Sequence, residues 1–240
     1  VYAGVDYADV LKEAEKEADV IVWDGGNNDL PFIKPDLEIV VLDPHRPGHE
    51  LLYYPGEANF RRADVLIINK MDTAKSQAVD VIMKNIKEVN QKAAVIYAAS
   101  AIKAADENLI RGKRALVVED GPTLTHGGMA YGAGIVAAEK YNAGEIVDPR
   151  PYAVGSIKNI FASYPHIKNL IPAMGYARHQ IKDLEDTINA APCDIVLIAT
   201  PVDLTKIIKI NKPTVRISYE IEEMGKPAIA DVVERFLKTL

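Results

Sequence analysis

Residues 18–29 read ADVIVWDGGNND, a short apolar run halted by an acid and two glycines. The run 20–23 is too short for a buried helix and suits a strand covered on both faces in a parallel sheet. Such a strand delivers Asp24 to the carboxyl edge, where open α/β sheets bind ligands. Asp-x-Gly at that edge suits a phosphate site: the short carboxylate takes a Mg²⁺-bound water, and glycine lets the backbone approach a terminal phosphate. Taken alone, a strand followed by an ordinary glycine turn explains these letters equally well.

On the amino side, residues 1–7 alternate like a strand, so the chain reads as starting inside a fold, as a fragment or processed piece of a longer protein. Residues 9–17 predict a short amphipathic helix with Val10, Leu11 and Ala14 on one side. On the carboxyl side, strands are expected at 37–42, 63–68 and 94–98, with a helix at 76–89 and a small-residue tip at Ala99-Ser100. The second half predicts strands at 114–118, 145–147, 170–173, 194–199 and 214–218, and helices at 131–141, 156–164, 180–190, 204–209 and 229–240. Strands alternating with helices indicate βαβ units, an α/β fold with a mainly parallel sheet. A seam near Gly112 divides the chain into 1–112 and 113–240, the second part either separate or continuous with the same sheet.

The chain has 240 residues, 48% hydrophobic and 26% charged, enough for a sizeable core. A net charge of −6 gives no global attraction to nucleic acid or anionic membranes, so an anionic ligand needs a local basic patch. The single cysteine, Cys193, allows no internal disulfide or cysteine-built metal cage and suits a reducing cytoplasm. No apolar run reaches membrane-spanning length. Scarce Gln among many charged residues hints at a thermophile.

Asn69-Lys70-Met71-Asp72 closes the strand at 63–68 and matches the N-K-x-D motif that reads guanine in GTP-binding proteins. There the Asp accepts the ring N–H and amino hydrogens, the Lys stem lies along the base and the Asn braces the loop, while adenine offers no such donor pair. Asp24 before it and Ala98-Ala99-Ser100 after it stand in the order of a P-loop GTPase. No G-x-x-x-x-G-K-[ST] occurs, so these residues alone are expected to bind nucleoside triphosphate poorly.

Other strand ends carry further chemistry. His45, Arg46 and His49 flank a Pro-Gly turn after Asp43 and suit phosphate oxygens better than the His pair suits a metal, with a solvated surface loop the other reading and Arg61 and Arg62 within reach in sequence. Residues 119–129, EDGPTLTHGGM, lead towards a helix whose start contains Gly132 and Gly134. Glu119, Asp120 and His126 are candidates for catalysis or for a Mg²⁺ ion, and Gly127 and Gly128 for backbone contact with an anion. Arg150, in Asp148-Pro149-Arg150-Pro151, either joins the same edge or belongs to a rigid surface loop. His166 and His179 are expected to face solvent, and Cys193 to be an inert core residue.

Together WDGGNNDLPF (23–32), DPHRPGHE (43–50), YYPGEANFRRADVLIINKMD (53–72), VEDGPTLTHGGMAYGAG (118–134) and VDPRPYAVGS (147–156) resemble the cyclic 2,3-diphosphoglycerate synthetase family, P-loop NTPase-related proteins found notably in archaea. The resemblance covers essentially the whole chain, as the carboxyl-terminal part of such a protein without its P-loop. It implies an ATP- and Mg²⁺-dependent ligase that closes an intramolecular phosphoanhydride in 2,3-diphosphoglycerate, with Mg²⁺ near Asp24. It implies substrate or phosphate contacts from His45, Arg46, His49, Arg61, Arg62, His126 and Arg150, while nucleotide contacts from Asn69, Lys70, Asp72 and Ser100 follow from the N-K-x-D motif and the strand order. GTP is a second candidate, because the Asn69–Asp72 motif favours guanine. The partners expected are a phosphorylated small molecule and the protein's own amino-terminal region, with a homo-oligomer also compatible. Two other classes stand beside this enzyme: a GTPase acting as a switch or metallochaperone, and a binding piece that awaits its missing half.

Overall fold

The computed structural model describes residues 2–26, 29–126, 128–175 and 177–239, and the chain divides into two compact units. The first comprises residues 1–100 and 221–240, the second 101–220. Gly112, where the sequence suggested a seam, lies inside the second unit, and the last twenty residues return to the first.

The first unit holds α1 (Tyr7–Ala14), β1 (Ile39–Leu42), α2 (His49–Leu52), α3 (Gly56–Arg62), β2 (Val65–Ile68), α4 (Ser76–Val89) and the start of β3 (Ala94–Ala104). β1, β2 and β3 pair in parallel, with Ile39 opposite Val65 and Val65 opposite Ala94. All four residues of β2 are buried, as expected of a central parallel strand covered on both faces. One face packs Leu66 and Ile68 against Phe60, Ile82 and Ile86; the other packs Val65 and Ile67 against Val232. Asn90 ends α4 and donates to the Phe60 and Ala63 carbonyls at 2.9 Å each, which ties the end of α4 to the corner between α3 and β2.

The second unit holds β4 (Arg114–Asp120), α5 (Gly121–Thr125), α6 (Ala133–Lys140), β5 (Glu145–Ile146), α7 (Gly155–Ser163), β6 (Ile171–Ala173), α8 (Arg178–Ala190), β7 (Ile195–Ala199) and most of β8 (Thr214–Glu223). β4 is its centre: β7 pairs along one side, while β5 and β6 pair with successive parts of the other. β8 follows β7, and these pairings are all parallel. Val117 and Leu197 face one apolar layer, Leu116 and Val196 the other. α9 (Ile229–Leu237) closes the chain within the first unit. The fold is α/β with a mainly parallel sheet.

Three expectations fail. Residues 20–23 form no strand: Val20, Ile21 and Val22 are 46%, 39% and 86% exposed, and no strand among the described residues pairs with them. A strand meant for burial on both faces requires neighbours, which a local apolar run does not supply. Residues 2–6 form no strand either, and Tyr7 opens α1, whose first N–H groups are capped by Asp6. Residues 204–209, expected as a helix, hold only a 3₁₀ turn at Leu204–Lys206, too short to build an α-helical face.

Candidate functional site

β1 and β2 finish side by side, and their last residues meet across the carboxyl edge of the first unit. Asp43 follows β1 and Lys70 follows β2, so register alone brings them close. Lys70 Nζ donates to Asp43 Oδ2 at 2.8 Å, and the Arg46 guanidinium donates to the same oxygen at 3.0 and 3.2 Å. Asp43 Oδ1 accepts the His45 N–H at 3.0 Å. Burial alone would raise the Asp43 carboxyl, but Lys70, the His45 N–H and Arg46 together hold it below the usual carboxylate range. His45 Nε2 lies 2.9 Å from Thr73 Oγ1, a second tie between the loops after β1 and β2.

The Asn69–Asp72 turn is braced from β3. The Met71 N–H donates to the Ala98 carbonyl at 3.0 Å, and the Ser100 N–H donates to Asp72 Oδ1 at 3.3 Å. Lys70 adopts φ 55°, a left-handed conformation uncommon for a residue with a side chain. Asn69 Oδ1 is buried without a hydrogen-bond donor, whereas Asp72 is exposed. The edge thus presents an exposed carboxylate braced by a backbone N–H, and two cations that share another carboxylate.

His49 is exposed, its ring 4.8 Å from that of Tyr53. Arg61 and Arg62 end α3, which runs into the amino end of β2. Arg61 pairs with Glu57, and Arg62 pairs with Glu38 just ahead of β1, at the edge opposite Asp43 and Lys70. Nearness in sequence therefore does not bring Arg62 to the His45–Arg46 loop. Asp24 is exposed on a segment without helix or strand, and no group of three or more metal-ligating side chains exists among the described residues. A lone carboxylate fits Mg²⁺ only where nucleotide phosphates and water complete the shell.

The second unit's carboxyl edge is built differently. β4 carries Glu119 into the interior at 2% exposure, where the Gly132, Gly134 and Ile135 N–H groups donate to its Oε1 at 3.1, 2.8 and 3.0 Å. Burial pushes the carboxyl up to about 7, against the pull of those N–H groups and with a further push from Asp120. Asp120 precedes α5 and accepts the Thr123 hydroxyl at 3.0 Å. His126 is exposed, with Nδ1 3.1 Å from Thr125 Oγ1. Gly128 takes φ 63° with open space around it, and Gly127 lies outside the described residues. Arg150 folds back on Asp148 at 2.9 and 2.6 Å, each holding the other charged. His166, expected to face solvent, is half-buried with Nε2 3.0 Å from the Leu124 carbonyl; Cys193 is buried. Asp43 as the shared counter-ion and Thr73 as the partner of His45 were missed; an acid closing the neighbouring strand was the available signal.

Among the described residues no helix is long and apolar enough to cross a membrane. Residues 3–99 match the model of the cyclic 2,3-diphosphoglycerate synthetase P-loop domain. The chain is also similar to the protein named arginine synthetase ArcE of Thermococcus kodakarensis, 61% identical over 238 residues. That match covers 99% of this chain and 53% of the relative, so the chain spans about half the relative's length. Residues 3–99, which carry the Asp43–Lys70 edge, are thus the part of the chain that matches the P-loop domain of the cyclic 2,3-diphosphoglycerate synthetase family.

Proposed function

We propose that this chain is part of a nucleotide-dependent synthetase that activates a small charged substrate with a nucleoside triphosphate. The observation that carries the reading is the convergence at the first unit's carboxyl edge of Asp43, Arg46 and Lys70 with the Ser100-braced Asp72. Asp72 is suited to read a base, and the loop of His45, Arg46 and His49 to meet anionic oxygens. Mg²⁺, held through Asp24 and the nucleotide's own phosphates, would neutralise charge on the transferring group. Moving a γ-phosphoryl onto a substrate oxygen turns that oxygen into a leaving group, a step that ring closure and amino-acid synthesis can share.

Two products compete. The family description points to cyclic 2,3-diphosphoglycerate, and the relative's name points to arginine. We place arginine-type chemistry first, because that similarity runs over 99% of this chain while the family model covers residues 3–99. The test uses the full-length protein with Mg²⁺ and either ATP or GTP. Phosphate release stimulated by 2,3-diphosphoglycerate supports ring closure. Arginine consumption that requires nucleoside diphosphate and phosphate supports arginine synthesis run backwards. Slow GTP hydrolysis indifferent to both favours the switch GTPase. Asp72→Ala should weaken GTP binding by about tenfold or more while sparing ATP; an equal effect on both, or none, removes its base-reading role.

A further inference from the structure

We propose that Glu119 is a positioning residue: its carboxylate, rather than a bound phosphate, fills the glycine-lined mouth of α6 and closes the loop that displays Asp120 and His126. One oxygen, Oε1, takes three backbone N–H groups, those of Gly132, Gly134 and Ile135, at 3.1, 2.8 and 3.0 Å. These include donors that the start of α6 would otherwise leave unpaired. At 2% exposure the carboxylate has no room to touch a ligand as it stands. It acts through what it holds.

The two glycines are spaced for this contact. A Cβ on Gly132 would lie 2.6 Å from Glu119 Oε2, and one on Gly134 would lie 3.1 Å from Oε1 and 2.6 Å from Val117 Cγ1. Gly132 has an extended backbone that any residue adopts, so the Glu119 carboxylate is what calls for glycine there. The chain leaves Glu119 through Asp120 and His126 and returns to the same side chain thirteen residues later at Gly132. Both ends of the loop are fastened to one group.

Register sets Pro172 of β6 and Ala199 of β7 opposite Glu119, and neither titrates. α6 turns only N–H groups towards it, and among the described residues Asp120 supplies the charge that bears on it. The clasp is therefore a buried carboxylate with little to compensate it except backbone dipoles, poised to change protonation near neutrality. Gln has nearly the same shape and can accept the same N–H bonds without a charge. Glu adds to that shape a charge that can come and go, so the clasp's hold on the three N–H groups changes with pH, whereas that of Gln would not.

The clasp itself stands on geometry, while its consequence for turnover rests on the synthetase reading. The first measurement is amide hydrogen exchange at Gly132, Gly134 and Ile135 in the full chain, expressed as protection factors across pH. Glu119→Ala should lower protection at these amides by about tenfold or more. Glu119→Gln should keep protection and remove its change near neutral pH. Gly132→Ala should lower protection in the wild-type background and have no effect beside Glu119→Ala, where the carboxylate it meets is gone. Unchanged amides in Glu119→Ala, or equal effects of Gly132→Ala in both backgrounds, overturn the clasp.

The second measurement is the pH profile of nucleotide turnover in the full-length protein. Glu119→Gln should retain turnover, with kcat altered more than KM and the limb near neutrality flattened; Glu119→Ala should lose turnover at every pH. Abolished turnover in Glu119→Gln with intact amide protection would make Glu119 a chemical participant and overturn the positioning role. Should the amides behave as expected in a protein that turns over no nucleotide, the synthetase reading fails alone and the clasp stands.

Discussion

Asp43 and Glu119 each stand at the carboxyl end of a parallel strand, and their surroundings drive them in opposite directions. Asp43 sits between two loops bearing cations; Lys70 and Arg46 meet on one of its oxygens and keep it ionised. Among the described residues Glu119 takes its hydrogen bonds from backbone N–H groups, and burial dominates, pushing its carboxyl up to about 7. Full charges close by offset desolvation better than backbone dipoles do. The first edge is thus a fixed charge cluster, and the second an ionisable clasp.

The sharpest way to break this contrast is the pH dependence of stability in Glu119→Gln. Between the ordinary 4.5 and about 7, the folded chain keeps a proton on Glu119 that the unfolded chain has released. Stability from this group is full below 4.5 and falls as pH rises through about 7, by about 3 kcal/mol. Urea unfolding at pH 5 and pH 8 should show that slope in the wild type and its loss in Glu119→Gln, making the variant the more stable form at pH 8. An identical slope in both proteins would transfer the titration to another group.

Asp43 predicts the opposite sign. Its lowered carboxyl stabilises the fold above the ordinary 3.8, and the contribution is lost as pH falls through the folded-state value. Asp43→Asn should cost about 1–2 kcal/mol at pH 7, because Lys70 and Arg46 are left facing each other without their counter-ion. The gap to wild type should close in acid, where Asp43 is protonated in both folded and unfolded chains. A gap that persists there would reveal a role in hydrogen bonding rather than charge, through the His45 N–H. Arg46→Ala should cost less, about 0.5 kcal/mol, since Lys70 remains and the guanidinium is 35% exposed.

Most elements were legible because helix and parallel-strand periodicities are local: α4 runs from Ser76 to Val89 as its pattern predicts, and β2 keeps the apolar run VLII. The failures are non-local. Residues 20–23 have the letters of a buried strand, but pairing depends on neighbours that a sequence window does not contain. Arg62 lies close to the His45–Arg46 loop in sequence, yet α3 carries it to the amino edge and Glu38. The glycines at 132 and 134 were legible as a cradle for an anion; that the anion is Glu119, thirteen residues before the first of them, is a tertiary fact. Residue types of the candidate sites could be read in advance, whereas their partners followed only from strand register.

Arg150 makes the smallest expected change in stability and the cleanest test of whether a resemblance between the edges extends to ligands. Asp43-Pro44-His45-Arg46 and Asp148-Pro149-Arg150 both turn an arginine back on the acid that opens the motif. Arg46 shares that acid with Lys70, whereas among the described residues Arg150 is the cation paired with Asp148, and both arginine side chains are partly exposed. An exposed pair contributes little to folding, so Arg150→Ala should leave the urea midpoint unchanged. The same weakness would let a phosphate or carboxylate draw the guanidinium away, since the arginine fork matches either anion. If Arg150 meets the substrate, Arg150→Ala should weaken binding in calorimetric titration of the full-length protein with 2,3-diphosphoglycerate or arginine, and Asp148→Asn should tighten binding of the anionic ligand by releasing Arg150. Silence of both variants would leave Arg150 as a clamp on its own loop and confine the ligand-binding parallel to Asp43 and its two cations.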